Sequence, residues 1–228
     1  MSKIDLTGIR AVVFDAYGTL FDVNSAAAAE RDTLGKRWQP LADLWRNRQL
    51  QYTWLRSLAG RHADFWQVTG DALDFAMASL NISDPVLRGR LMRLYLTLNA
   101  YPEVADTLAR MRAADLKLAI LSNGTPRMLD AAVRHSGLAH QFDFVLSAEE
   151  AGIFKPHPTV YRLALDRLQL QAGEICFVSA NGWDACSAKA FGMRVLWCNR
   201  AGQVPEHIPE MPDGEIRTLN ELSSIFDC

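Results

Sequence analysis

The sequence predicts an α/β protein, a doubly wound parallel sheet that carries an inserted all-helical cap domain. Three observations carry this. Short β-branched or aromatic apolar runs recur at wide intervals, helical patterns separate the last four of them, and a long strand-free stretch separates the first from the second. At 228 residues, 49% of them hydrophobic, the chain is longer than one average domain and shorter than two. One domain with a sizeable insertion fits that length better than two independent units.

The apolar runs at 9–14, 116–121, 142–146, 175–178 and 193–198 are short and read as buried strands. Helical patterns at 126–136 and 157–168 are long enough for crossovers, and strand–helix alternation implies a parallel sheet covered on both faces. A crossover needs only about a dozen residues, so the stretch between the first two strands is an insertion. Within it, 41–59 has helical spacing, with Leu41, Leu44, Trp45, Tyr52 and Leu55 on one stripe and Leu50, Trp54 and Leu58 on a second. Such a helix has to be covered twice, by its own bundle and by either the core or a partner subunit. Further helices are predicted over 64–80 and 85–98, the latter with Asp84 as N-cap and Pro85 at the first helical position. The expected division is therefore a core of 1–21 and 100–228 and a helical cap of 22–99. After Asn199 the Pro- and Glu-rich sequence reads as a surface loop that returns to a short final segment.

Composition excludes several function classes. Lys plus Arg number 24 against 26 Asp plus Glu, a formal net charge of −2, which is too little positive charge to gather a nucleic-acid backbone. An anionic ligand must be held by local charges. Cys176, Cys186, Cys198 and Cys228 show no CxxC spacing and the His residues are scattered, so neither a zinc site nor a disulfide framework is expected. Residues 1–6 mix charges into what would have to be an apolar leader, and no apolar run approaches the roughly 18 residues of a membrane span. The expectation is a reduced, soluble, cytoplasmic protein with no membrane partner.

In an open parallel sheet, ligands bind in the crevice beyond the carboxyl ends of the strands. The residues there are polar and specific. The first strand runs into Asp15-Ala16-Tyr17-Gly18-Thr19-Leu20, the second into Ser122-Asn123-Gly124, and the fourth into Ser179-Ala180-Asn181-Gly182-Trp183-Asp184, while Lys155 precedes Pro156 after the third. With Tyr52-Thr53-Trp54-Leu55-Arg56 in the cap, this set resembles the haloacid dehalogenase superfamily, and more narrowly its type II (S)-2-haloacid dehalogenases, from about residue 9 to residue 200.

The residues argue against the phosphatases that share this scaffold. Those resemble Asp-x-Asp-x-Thr at the first turn, where the second Asp protonates a departing alkoxide, and they gather further carboxylates for Mg²⁺. Here that second position is Tyr17, and Asn181 brings an amide to the distal site. A halide leaves as a stable anion and needs no proton. No metal and no cofactor are therefore expected. A Mg²⁺-dependent small-molecule phosphatase and a non-catalytic dimeric binding module stand as the alternatives.

The resemblance implies a small halogenated carboxylic acid as substrate and a two-step nucleophilic reaction. Asp15 attacks C2 from the face opposite the halogen, inverting it and forming an ester, and water then attacks the Asp15 carbonyl carbon. Both Asp15 and substrate are carboxylates, so a nearby cation is needed, for which Lys155 is the candidate. By resemblance Thr19 fixes the Asp15 carboxylate, and Asp184 orients or deprotonates the water with Ser179, Asn181 and Lys155. Ser122 and backbone amides hold the substrate carboxylate, with Ala16 among the binding residues. Arg46, Asn123 and Trp183 cradle the halide, and Tyr17, Leu50, Phe65 and Trp183 wall the alkyl group. Asn47 joins the binding set where many relatives carry Gln, and Ala180 stands where Ser is common. A homodimer is also implied, and the second apolar stripe fits it.

Overall fold

The computed structural model describes residues 6–226 and 228, so the charged stretch 1–5 weighed above as a leader lies outside the described residues. Six strands form one parallel sheet: β1 Ala11–Phe14, β2 Lys117–Ser122, β3 Phe144–Ser147, β4 Ile175–Ser179, β5 Arg194–Cys198 and β6 Gly214–Ile216. Their order is β3-β2-β1-β4-β5-β6. Every side chain of β1 and β4 is buried, which is why these strands read as unbroken apolar runs rather than alternating ones. Five strands coincide with the predicted runs. The sixth, β6, lies where a surface loop was expected, because a three-residue edge strand after a Pro-rich stretch carries no periodicity to read.

Sheet order reverses at β1, which has β2 on one side and β4 on the other. The residues that follow β1, β2 and β4 thus open onto one crevice, the switch point where such sheets bind ligands.

Between β1 and β2 the described chain forms helices: α1 Ser25–Ala29, α2 Arg31–Leu34, α3 Trp38–Leu58, α4 Phe65–Ser79, α5 Pro85–Leu94 and α6 Val104–Ala113. Asp64 caps α4 by accepting from Gln67 N at 2.8 Å, and Asp84 caps α5 by accepting from Val86 N and Leu87 N, each at 2.9 Å. The chain leaves the sheet and returns to it through adjacent segments. Phe21 and Ala100 form an antiparallel bridge, Asp22 N donates to Asn99 O at 2.9 Å, and Tyr101 N donates to Leu20 O at 3.0 Å.

Helix α3 departs from its predicted faces. Its buried residues are Leu41, Ala42, Trp45, Gln49 and Thr53, while Leu55 and Leu58 are 58% and 87% exposed. Gln49 and Thr53 sit inside because hydrogen bonds satisfy them, a property that apolar periodicity cannot register.

The remaining helices are α7 Pro126–His135, capped by Thr125, α8 Pro158–Leu168, capped by His157, whose ring nitrogen accepts from Thr159 N–H, α9 Gly182–Ala190 and α10 Glu221–Ile225. The four cysteines are free, and no described helix is long and apolar enough to cross a membrane.

Candidate active site

Asp15 is the first residue past β1 and is held to β4 by its own N–H, which donates to Val178 O at 2.9 Å. The chain turns at once: Ala16 O accepts from the N–H groups of Leu20 and Phe21, and Gly18 adopts φ +89°, a left-handed conformation that a side chain would strain. The turn brings Thr19 back beneath Asp15. Thr19 Oγ1 donates to Asp15 Oδ2 at 3.1 Å while accepting from Ala180 N at 2.8 Å, so the hydroxyl proton has one direction to point. Asn181 Nδ2 donates to the same Oδ2 at 2.9 Å. Arg200 supports the turn from behind, donating to Thr19 O at 2.9 Å.

Lys155 lies between two carboxylates. Its Nζ donates to Asp15 Oδ1 at 3.2 Å and to Asp184 Oδ2 at 2.9 Å, and all three side chains are buried. Its backbone N–H donates to Asn123 Oδ1 at 2.9 Å, which ties the loop after β3 to the loop after β2. Asp184 is fully satisfied: Oδ2 also accepts from Ser179 Oγ at 3.0 Å, and Oδ1 accepts from Tyr161 OH at 2.6 Å. Buried ions persist only when paired in this way. Burial pulls the Lys155 ammonium down, yet Asp15 and Asp184 outweigh it and hold its pKa above the ordinary lysine value. Burial pushes Asp184 above the usual carboxylate range, against the opposing pull of Lys155 and with the help of the Asp15 charge.

These donors do not fit a divalent cation. Mg²⁺ takes near-octahedral oxygen ligands, whereas the ammonium stands between the two carboxylates and the Asn181 oxygen is engaged by Arg46. Among the described residues no group of three or more His, Cys, Asp and Glu is placed to hold a metal.

Arg46 reaches this cluster from α3. Its Nη2 donates to Tyr17 O and to Asn181 Oδ1, both at 3.2 Å, and its Nη1 donates to Gln49 Oε1 at 2.8 Å. The Tyr17 ring is buried, with centroids 5.8 Å from Phe65 and 5.6 Å from Tyr95. Burial first, then Tyr95 and Asp15, push the Tyr17 phenol well above its ordinary value, so it is a poor proton donor near neutral pH.

The structure therefore brings together Asp15, Thr19, Lys155, Ser179, Asn181, Asp184, Tyr17 and Arg46, with Phe65 packed on Tyr17. Ser122 and Asn123 are buried at the end of β2, and Ser122 Oγ accepts from Gly124 N at 3.2 Å. Ala16 is buried in the turn and Leu50 is half-buried one turn beyond Arg46. Asn47 is different: it is exposed, because consecutive helical residues point about 100° apart and Arg46 takes the inward position. Trp183 stands edge-on to Trp54 at 5.3 Å and lines, with Leu58, Phe154, Pro156 and Ile208, a pocket of about 380 Å³.

Sequence reasoning passed over Tyr161, Gln49, Thr69 and Tyr95. Gln49 had a signal, its position three residues after Arg46 on one helix face. Tyr161 had none, since α8 meets Asp184 only through the fold.

The fold and this cluster define a capped α/β protein with an aspartate at its switch point and one buried lysine between two carboxylates. The chain belongs to the haloacid dehalogenase-like hydrolases, whose family model matches residues 9–192. It is 44% identical to (S)-2-haloacid dehalogenase 4A of Burkholderia cepacia over 94% of this chain and 93% of that one. A crystal structure of an L-2-haloacid dehalogenase superposes with a TM-score of 0.94 at 43% identity, covering 97% of this chain and 100% of that chain. Another, from Xanthobacter autotrophicus with chloropropionic acid covalently bound, gives 0.90 at 38% identity over 96% and 98%.

Proposed function

We propose that this protein hydrolyses (S)-2-haloalkanoic acids to (R)-2-hydroxyalkanoic acids and halide, through an ester on Asp15 and with inversion at C2. The observation that carries the proposal is the pairing of Asp15 with Lys155 in a turn whose second position offers only a buried phenol. A nucleophile is present, but the residue placed to protonate a leaving group in the first step, Tyr17, holds its proton too tightly to give it up. That favours a leaving group that departs as an anion, and it counts against the phosphatase reading.

In the first step an Asp15 oxygen forms a bond to C2 as the carbon–halogen bond breaks and the halide leaves with the electron pair. Thr19 and Asn181 orient the carboxylate, and Lys155 offsets the repulsion between it and the substrate carboxylate. Ser122 with backbone amides near Ala16 receives that carboxylate. Arg46, which offers N–H donors beyond those engaged by Tyr17 and Asn181, receives the halide together with Asn123. Tyr17, Phe65 and Leu50 wall the alkyl group, with Trp183 at the edge of the wall. In the second step water adds to the Asp15 carbonyl carbon as Asp184 takes its proton; the bond from that carbon to the ester oxygen then breaks, and the hydroxy acid leaves with its C2–O bond intact and the proton returned by Asp184 on its oxygen. An Asp184 raised by burial is a better base than an ordinary carboxylate, and Ser179, Tyr161 and Lys155 hold it in place. The covalently bound chloropropionic acid of the Xanthobacter relative supports a covalent step here.

The same proposal includes reaction without metal or other cofactor, supported by the unsuitable donor set. It divides the chain at 21/22 and 99/100, where Phe21 and Ala100 bridge, and it includes a cytoplasmic homodimer, for which the exposed Leu55 and Leu58 offer apolar surface. The test is halide release from racemic 2-chloropropionate with no metal added. The expected result is loss of the (S) enantiomer alone and formation of (R)-lactate. Loss of neither enantiomer, with Mg²⁺-dependent phosphate release from a phosphomonoester, would overturn it.

A further inference from the structure

Helices α3 and α4 share a buried polar chain whose direction is fixed from one end. The Phe65 carbonyl can only accept, and Thr69 Oγ1 donates to it at 2.6 Å. A hydroxyl has one proton, so Thr69 must accept from Gln49 Nε2, 2.8 Å away. That turns the Gln49 amide so that Oε1 faces the opposite way, where it accepts from Arg46 Nη1 at 2.8 Å and from Tyr95 OH at 3.1 Å. Gln49 and Thr69 are wholly buried and Tyr95 nearly so, so a wrong arrangement would leave buried polar atoms unpaired. A flipped amide would set N–H groups against the guanidinium and leave the Thr69 contact without a donor. The chain has one arrangement.

Its consequence falls on Arg46. The guanidinium is gripped on the cap side by Gln49 Oε1 and on the core side by Tyr17 O and Asn181 Oδ1. Each of these acceptors is neutral, so they aim the guanidinium without cancelling its charge. A carboxylate at position 49 would hold it equally well and spend much of that charge.

We propose that Gln49, oriented by Thr69 and Tyr95, is a positioning residue that aims the Arg46 guanidinium at the departing halide and leaves its charge uncompensated. This rests on the dehalogenation proposed above. Loosening Arg46 withdraws stabilisation from the transition state in which the halide gathers charge, and chloride, the poorer leaving group, needs that stabilisation more than bromide.

The test compares kcat/KM for (S)-2-chloropropionate and (S)-2-bromopropionate in the wild type and in Gln49→Leu, Thr69→Val and Thr69→Ser. The bromo/chloro ratio does not depend on how much of a preparation is folded. In Gln49→Leu the chloro substrate is expected to lose about 30-fold and the bromo substrate about fivefold, so the ratio rises. Thr69→Val, which frees the amide to flip, moves the ratio the same way by a smaller factor. Thr69→Ser restores the hydroxyl and returns the ratio to the wild-type value. Thr69→Val and Thr69→Ser decide the matter even if Gln49→Leu does not fold. An unchanged ratio in both Gln49→Leu and Thr69→Val, or a Thr69→Ser that behaves like Thr69→Val, overturns the inference and leaves the proposed function standing. A wild type that releases halide from neither acid overturns both.

Discussion

The two sides of the crevice hold charge in opposite ways. On the sheet side, Asp15, Lys155 and Asp184 are a buried trio in which each ion is paired with the next and tied down by Thr19, Asn181, Ser179 or Tyr161. On the helical side a single guanidinium is aimed by neutral acceptors. The trio carries one net negative charge and sets proton affinities, whereas Arg46 keeps a full positive charge available to an anion. Making and breaking bonds to Asp15 should thus depend on the sheet side by large factors, and stabilising what leaves should depend on the lid by smaller ones.

Substitutions can break that contrast, and the largest effect falls at Asp15. Asp15→Asn should lower halide release by at least about 10⁴-fold in a chloride-electrode assay, since a weakly nucleophilic amide replaces the carboxylate. Lys155→Met comes next, with a loss of about 10³-fold in kcat/KM. It also leaves two buried carboxylates facing each other, a destabilisation of about 3–5 kcal/mol in urea unfolding at neutral pH. The sign of its pH dependence follows from Asp184. Loss of the cation that pulls this already raised pKa down lifts it further, so stability missing at neutral pH should return as the pH falls and Asp184 protonates.

On the lid, Arg46→Ala should cost about 10²-fold in kcat/KM, less than Lys155→Met, because the nucleophile and its partners stay in place. A loss as large as that of Lys155→Met would erase the division between the two sides. Tyr161→Phe tests the base more gently. In the wild type Asp184 must be ionised, so activity is present above its raised pKa and lost as pH falls through it. The Tyr161 hydrogen bond lowers that pKa, so its removal should move the acid limb of the kcat profile to higher pH with at most about a tenfold loss at the optimum. Asn47→Ala, on the exposed side of α3, should change kcat/KM by less than about twofold in the same assay.

The same contrast explains what the sequence disclosed. Sheet topology forces strand ends together, so Asp15, Ser122, Ser179 and Asp184 could be placed at one crevice from apolar runs and the residues after them, and Lys155 joined them through its loop. Tyr161 and Arg200 escaped, because their contacts with Asp184 and with the Thr19 carbonyl arise from packing rather than from spacing. The lid was harder to read. A helical wheel built on apolar residues gives no reason to bury Gln49 or Thr53, whereas hydrogen bonds let both sit inside, and Leu55 and Leu58 of the predicted stripes are exposed. Arg46 was found, while Asn47 beside it is exposed and the residue that accepts from the guanidinium on the cap side is Gln49. Strand β6 was missed for want of length.

The attack by Asp15 itself is tested most directly by a single turnover of (S)-2-chloropropionate in ¹⁸O water with enzyme in excess, followed by mass spectrometry of the active-site peptide and of the product. The ester route puts the label into Asp15 and leaves the lactate unlabelled. Label found directly in the lactate, with none in Asp15, would mean that water attacks C2 and that Asp15 never bonds to the substrate.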